Sequence, residues 1–256
     1  MNWGMAETID GCARAGVRWI GLWRHKAAEI GLDETARRMR AAGLRASSLC
    51  RGGYFPAATG LERQARIDDN RRAIDEAAEL GAAVLVLVAG PAADRDLNAA
   101  RHMVEDGICA IAPYAVEHGV SLAIEPLHPM FAGDRSVVVT LGQANELAVR
   151  TASPAVGVAV DVYHVWWDPA VYDQIGCAAG QILGFHVSDW LVPPPHHLLG
   201  RGMMGDGIIE LRRLRQAVDA AGYTGPIEVE IFNQRVWDTP GDEVLALMKQ
   251  RFVECC

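Results

Sequence analysis

Seven stretches of the chain are almost continuously apolar, and amphipathic stretches separate them. The apolar runs are VRWIGLW from Val17, LRASSLC from Leu44, AVLVLVAG from Ala83, VSLAIEP from Val120, VGVAVDVYHV from Val156, ILGFHVSDW from Ile182 and PIEVEIF from Pro226. Runs of this length without polar alternation predict strands covered on both faces, hence a parallel sheet. Between them ETARRMRAAG, RRAIDEAAELG and ELRRLRQAVDAAG have helical spacing, and each ends in the glycine that commonly stops a helix. Gly16, Gly43, Gly81 and Gly119 lead directly into the next apolar run. The repeated unit predicts βα connectivity with right-handed crossovers. No linker, low-complexity tract or composition shift divides residues 1–256, so the expectation is one domain.

The count of elements is uneven. The pattern contains seven strands and eight helices, and it opens with a helix-like segment, MAETIDGCARAG, ahead of the first strand. The fold class expected is α/β, a (β/α)8 TIM barrel of parallel strands whose first strand is missing from the N-terminus. A doubly wound open sheet is the alternative, but no GxGxxG follows the first strand.

Four polar residues interrupt the apolar runs near their ends: Glu125 in SLAIEPLHP, Asp161 in VGVAVDVYHVWW, His186 in ILGFHVSDW and Glu230 in GPIEVEIFN. An ionisable group in a buried strand is costly unless it is paired or bound to a metal. Taken singly, each has an ordinary structural explanation. A glutamate could be salt-bridged, Asp161 could cap a helix, and His186 could be a satisfied core histidine. One such group on each of the last four strands points instead to a site. In a parallel barrel the C-terminal strand ends share one rim, and adjacent strands are about 4.8 Å apart. Three carboxylates and an imidazole form a plausible first shell for one divalent ion: Mn2+ is favoured, with Co2+, Mg2+ or Zn2+ as other choices. Glu228 shares the face of Glu230 and competes with it as a ligand, but it lies deeper in the strand.

Charge and cysteines narrow the class. The 256 residues carry a formal net charge of −8, which disfavours nucleic acid or an anionic membrane as partner. Six cysteines are scattered without metal-finger spacing, as expected for reduced thiols in a cytoplasmic protein. Three fall in helix-like segments as small apolar fillers, and Cys255-Cys256 reads as a frayed tail. No signal peptide opens the chain, and no apolar run nears the roughly 18 residues of a membrane span.

The motifs AIEPLHP, DVYH, GFHVSDW, GRGMMGDG and GYTGPIEVEIFN resemble the xylose-isomerase-like TIM-barrel superfamily of sugar phosphate isomerases and epimerases, and the resemblance covers essentially the whole chain. It implies that Glu125, Asp161, His186 and Glu230 bind one metal and that Glu125 and Glu230 are the acid and base. It further implies that His164 and Arg201 contact substrate. The expected activity is metal-dependent isomerisation or epimerisation of a sugar, keto-sugar or polyol, by proton transfer through an enediolate. Dehydration of an inosose or 3-dehydroshikimate, or elimination from a 3-keto-glycoside, uses the same residues and is the alternative. An apurinic-site endonuclease-like hydrolase or a non-catalytic barrel fits less well. His128 and Trp166, with Trp167 and Trp190, are expected to line the pocket. Asp189 is expected to orient His186. The stretch VPPPHHLLGRGMMGDG is expected to be a lid. The exposed barrel edge left by the absent strand suggests a homo-oligomer.

Overall fold

The computed structural model describes residues 3–256, so the first two residues of the expected 1–256 domain lie outside the described residues. Among the described residues nine strands occur in the order β1 (Trp19–Trp23), β2 (Arg45–Gly53), β3 (Val84–Val88), β4 (Ser121–Glu125), β5 (Val156–Asp161), β6 (Ile182–Val187), β7 (Asp189–Trp190), β8 (Arg201–Gly202) and β9 (Ile227–Val229). Seven of them form one parallel sheet in the order β1-β2-β3-β4-β5-β6-β9. Strands β7 and β8 make a separate antiparallel pair. The helices are α1 (Met5–Arg14), α2 (Arg24–Ala27), α3 (Leu32–Ala41), α4 (Gly60–Leu80), α5 (Leu97–Glu117), α6 (Leu141–Thr151), α7 (Val162–Val165), α8 (Val171–Cys177), α9 (Leu211–Ala220), α10 (Gln234–Asp238) and α11 (Gly241–Cys255). Helices follow strands around the sheet, as the alternating pattern predicts. The result is a nearly closed TIM barrel of seven parallel strands.

Strands β1 and β9 end the sheet and do not pair with each other. Between them opens a cavity of about 640 Å³ lined by α1, α11 and both edge strands, and reaching Glu125, His186, Glu228 and Glu230. The strand that would close the barrel is not among the described residues. Gly21 in β1 belongs to this opening: a Cβ there would collide with the Glu228 carboxylate reaching over from β9.

Local signals set several boundaries. Thr59 accepts from the Glu62 amide and starts α4, while Asp96 and Thr140 cap α5 and α6 in the same way. Buried Asn70 on α4 bonds both the N–H and the C=O of Gly53, tying that helix to the end of β2. Gly53 itself has φ of +100°, and a side chain there would strike the Val88 carbonyl.

Three expectations change. The VYHV segment after Asp161 is the short helix α7, because Asp161 ends β5 and caps that helix through Tyr163 N–H. Cys109 and Cys177 are exposed on their helices, and only Cys12 is buried. The C-terminal cysteines are half-buried, with Cys255 ending α11 and both packing against the core.

Candidate metal centre

The strand register brings the four polar residues to one depth. Val88 pairs with Glu125, Asp161 with His186, and His186 with Glu228, so Glu230 falls just past the end of β9. One ligand atom from each of Glu125, Asp161, His186 and Glu230 lies within 4.8 Å of the others. Glu125, Asp161 and His186 are buried, whereas the Glu230 side chain keeps 20% of its surface exposed.

The polar atoms of this cluster are unequally satisfied. Asp161 uses both oxygens: Oδ1 accepts from Tyr163 N–H at 2.9 Å and Oδ2 from Arg201 Nη1 at 2.7 Å. His186 Nδ1 stands 3.1 Å from Glu125 Oε1 but without hydrogen-bond geometry. Consequently Glu125 Oε1 and both ring nitrogens of His186 are buried without a hydrogen-bond partner. Buried groups of this kind are normally paired. Orphaned lone pairs on an imidazole and a carboxylate, facing two further carboxylates, suit a divalent cation.

The charge balance agrees. Burial disfavours a proton on His186, but Glu228, Glu125 and Glu230 outweigh it and raise its pKa to about 10. The cluster thus draws a positive charge to the spot where its lone pairs converge. Burial raises Glu230 to about 7, with Arg201 opposing and Glu125 adding to the shift. Asp161 is held below the usual carboxylate range: burial works against this, and Arg201, His164 and His186 prevail.

Arg201 is buried. Its Nη1 reaches Asp161 and lies 3.3 Å from Glu230 Oε2, and its Nη2 lies 3.1 Å from His164 Nε2. Burial drives His164 down to about 3, so its ring is neutral near pH 7. The Arg201 backbone is fixed from both sides, donating to Phe232 C=O and accepting from Asn233 Nδ2.

Asp189 does not orient His186. Its carboxylate accepts from the N–H groups of Trp190, Gly205, Gly207 and Ile209, and so pins the GRGMMGDG turn that carries Arg201. Four backbone donors saturate the carboxylate, leaving no acceptor for an imidazole. The paired histidines of the preceding loop stack on each other, and His196 Nδ1 accepts from Leu198 and Leu199 N–H, so they serve a turn.

A second cavity of about 250 Å³ opens directly on the ligand set. Glu125, Glu230, His164 and Arg201 line it together with Trp23, His25, Cys50, Arg51, Phe131, Arg135 and Phe232. His128 and Trp166 are not among its lining residues: both rings pack against Trp190 instead. The sequence reading missed Arg51, Cys50 and Arg135. Cys50 ends the LRASSLC run and Arg51 follows it, and Arg135 sits in the loop after AIEPLHP, so their rim positions were the available signal.

A parallel barrel with carboxylates and an imidazole gathered at its C-terminal rim has them on the face where barrel proteins carry their active sites. The family model described as xylose isomerase-like TIM barrel matches residues 9–251, and the chain belongs to that family. A crystal structure of a protein from Sinorhizobium meliloti 1021 is 51% identical, with a TM-score of 0.97, covering 100% of this chain and 94% of that one. The IolI protein, solved with a bound zinc atom, is 20% identical with a TM-score of 0.86, over 99% of this chain and 93% of its own. D-psicose 3-epimerase, solved in the presence of D-fructose, is 17% identical with a TM-score of 0.79, over 98% and 92%. At these lower identities the likeness is one of fold. No curated protein sequence matches the chain.

Proposed function

We propose that this chain is a divalent-metal-dependent isomerase or epimerase of a sugar, keto-sugar or related polyol. The observation that carries the reading is the convergence of Glu125, Asp161, His186 and Glu230 within 4.8 Å, with the Glu125 and His186 atoms left without partners. The zinc atom in the solved IolI protein and the epimerases among the structural neighbours support it. Mn2+ is the favoured ion.

A bound divalent ion would supply Lewis-acid polarisation of a substrate carbonyl and charge to offset a developing enediolate. The protein's own groups do the rest. Glu230 is the most exposed carboxylate of the cluster and lines the cavity, the position a general base needs. It takes the proton from the carbon next to the carbonyl. Glu125, from a strand across the ligand set, passes a proton from water to the carbon from its own side, and Glu230 releases to water the one it took. Return to the same carbon epimerises, and return to the neighbouring carbon isomerises. Arg201 keeps Asp161 and Glu230 in place, and neutral His164 offers a contact for a substrate hydroxyl.

The test is solvent exchange. The purified protein should carry about one divalent ion per chain, and in D2O a panel of ketoses and keto-inositols should gain deuterium at the carbon beside the carbonyl. Glu230→Gln should remove that exchange while the circular dichroism of the folded chain is retained. Exchange that persists in the variant, or activity in metal-stripped protein, refutes the reading. Loss of water from the substrate would assign a dehydratase.

A further inference from the structure

The cavity beside the ligand set holds more positive charge than its carboxylates require. Its acidic lining residues are Glu125 and Glu230, and both belong to the ligand cluster. With Asp161 and Glu228 beside them the carboxylates number four, of which Arg201 and one divalent ion would offset three. Arg51 and Arg135 line the same cavity and bring more positive charge than the one carboxylate that remains. Neither makes an ion pair or a side-chain hydrogen bond among the described residues; by contrast, Arg24 and Arg63 on the helical exterior are paired with carboxylates. Each surplus guanidinium is instead propped on an aromatic ring. Arg51 Cζ lies 3.9 Å from the Tyr54 ring centroid, and Arg135 Cζ 5.8 Å from that of Phe131. Stacking of this kind holds the planar group in position and leaves its N–H edge free to grip an oxyanion. Both arginines also lie at the C-terminal rim, Arg51 near the end of β2 and Arg135 in the loop after β4.

We infer that the substrate bears an acidic group, a carboxylate or a phosphate, which Arg51 and Arg135 hold at the mouth of the cavity while the reacting carbons face Glu125 and Glu230. The assignment of the reacting end rests on the function proposed above; the oxyanion site does not. A cavity of about 250 Å³ lets one small molecule touch both ends. Each charge-assisted contact should contribute about tenfold to a hundredfold in affinity.

Calorimetry on the metal-loaded protein tests this with inorganic phosphate and glycolate as probes, then with D-fructose, D-fructose 6-phosphate and D-fructuronate. The double variant Arg51→Gln/Arg135→Gln should weaken the preferred anion at least about a hundredfold while keeping its metal content. Arg215→Gln, whose side chain pairs with Asp219 on α9, should bind anions as the unmodified protein does. A phosphate preference assigns a phosphate ester and a glycolate preference assigns a sugar acid, and each should recur in the matching ketose. If neither anion binds the unmodified protein more tightly than the double variant, the inference is overturned. Anion binding through these arginines without deuterium exchange in any ketose would keep the oxyanion site and refute the proton-transfer reading instead.

Discussion

At the scale of single residues, His186 is the group most sensitive to its surroundings. In the ion-free site its pKa of about 10 means that the imidazole holds a proton throughout neutral pH. Its folded value lies above the unfolded one of 6.5. The stabilisation it provides is therefore complete below pH 6.5 and lost as the pH rises through about 10. A metal needs the neutral ring, so binding must release that proton. Metal affinity should therefore rise about tenfold per pH unit between pH 7 and 9, and metal titrations at pH 7, 8 and 9 would measure the slope. An affinity independent of pH in that interval would mean that His186 is not displaced by the ion. The same crowding distinguishes Glu228 from Glu230. Glu228 sits 3.8 Å from His186 Nε2 and extends toward Gly21, whereas Glu230 completes the four-residue cluster.

At the scale of elements, the turn that delivers Arg201 depends on one carboxylate. Asp189, 1% exposed, gathers four backbone N–H groups that would otherwise be orphaned beneath the loop. Asp189→Ala should destabilise the protein by about 3 kcal/mol or more, since each buried unsatisfied donor costs about 1–3 kcal/mol. Urea unfolding would give the difference, and a change below about 1 kcal/mol would mean that the turn is held by other contacts. Asn70 does comparable work for β2: Asn70→Ala removes its bonds to both polar groups of Gly53 and should cost about 2 kcal/mol in the same measurement.

At the scale of the whole molecule, the cluster sits where strands of the parallel sheet converge, so a bound ion ties β4, β5, β6 and the segment after β9 together. An ion that binds the folded chain alone stabilises it by about 2.7 kcal/mol at a hundred times its dissociation constant. For a chain of this size that is a rise in melting temperature of about 5–10 °C. Differential scanning calorimetry with and without EDTA should show it, and coincident traces would argue against metal binding at this site. Strands β1 and β9 do not pair with each other, and the larger cavity lies between them. No helix among the described residues is long and apolar enough to cross a membrane.

Much of this was legible in the amino-acid order. Continuous apolar runs such as VLVLV dictate strands buried on both faces, and such strands with intervening helices pack as a parallel barrel. A carboxylate or imidazole inside such a run stands out because burying it is costly, so Glu125, Asp161, His186 and Glu230 were visible one strand at a time. What lay beyond the sequence is what depends on neighbours distant along the chain. Only the folded register shows the four groups at one depth. Only the packed GRGMMGDG turn shows that Asp189 serves four backbone amides and that Arg201 lies between Asp161 and Glu230. The same holds for Arg51 and Arg135, ordinary charges in sequence, which meet at one cavity only once the barrel has formed. Burial costs are written into local hydrophobicity, but charge balance is a sum over residues that only tertiary structure brings together.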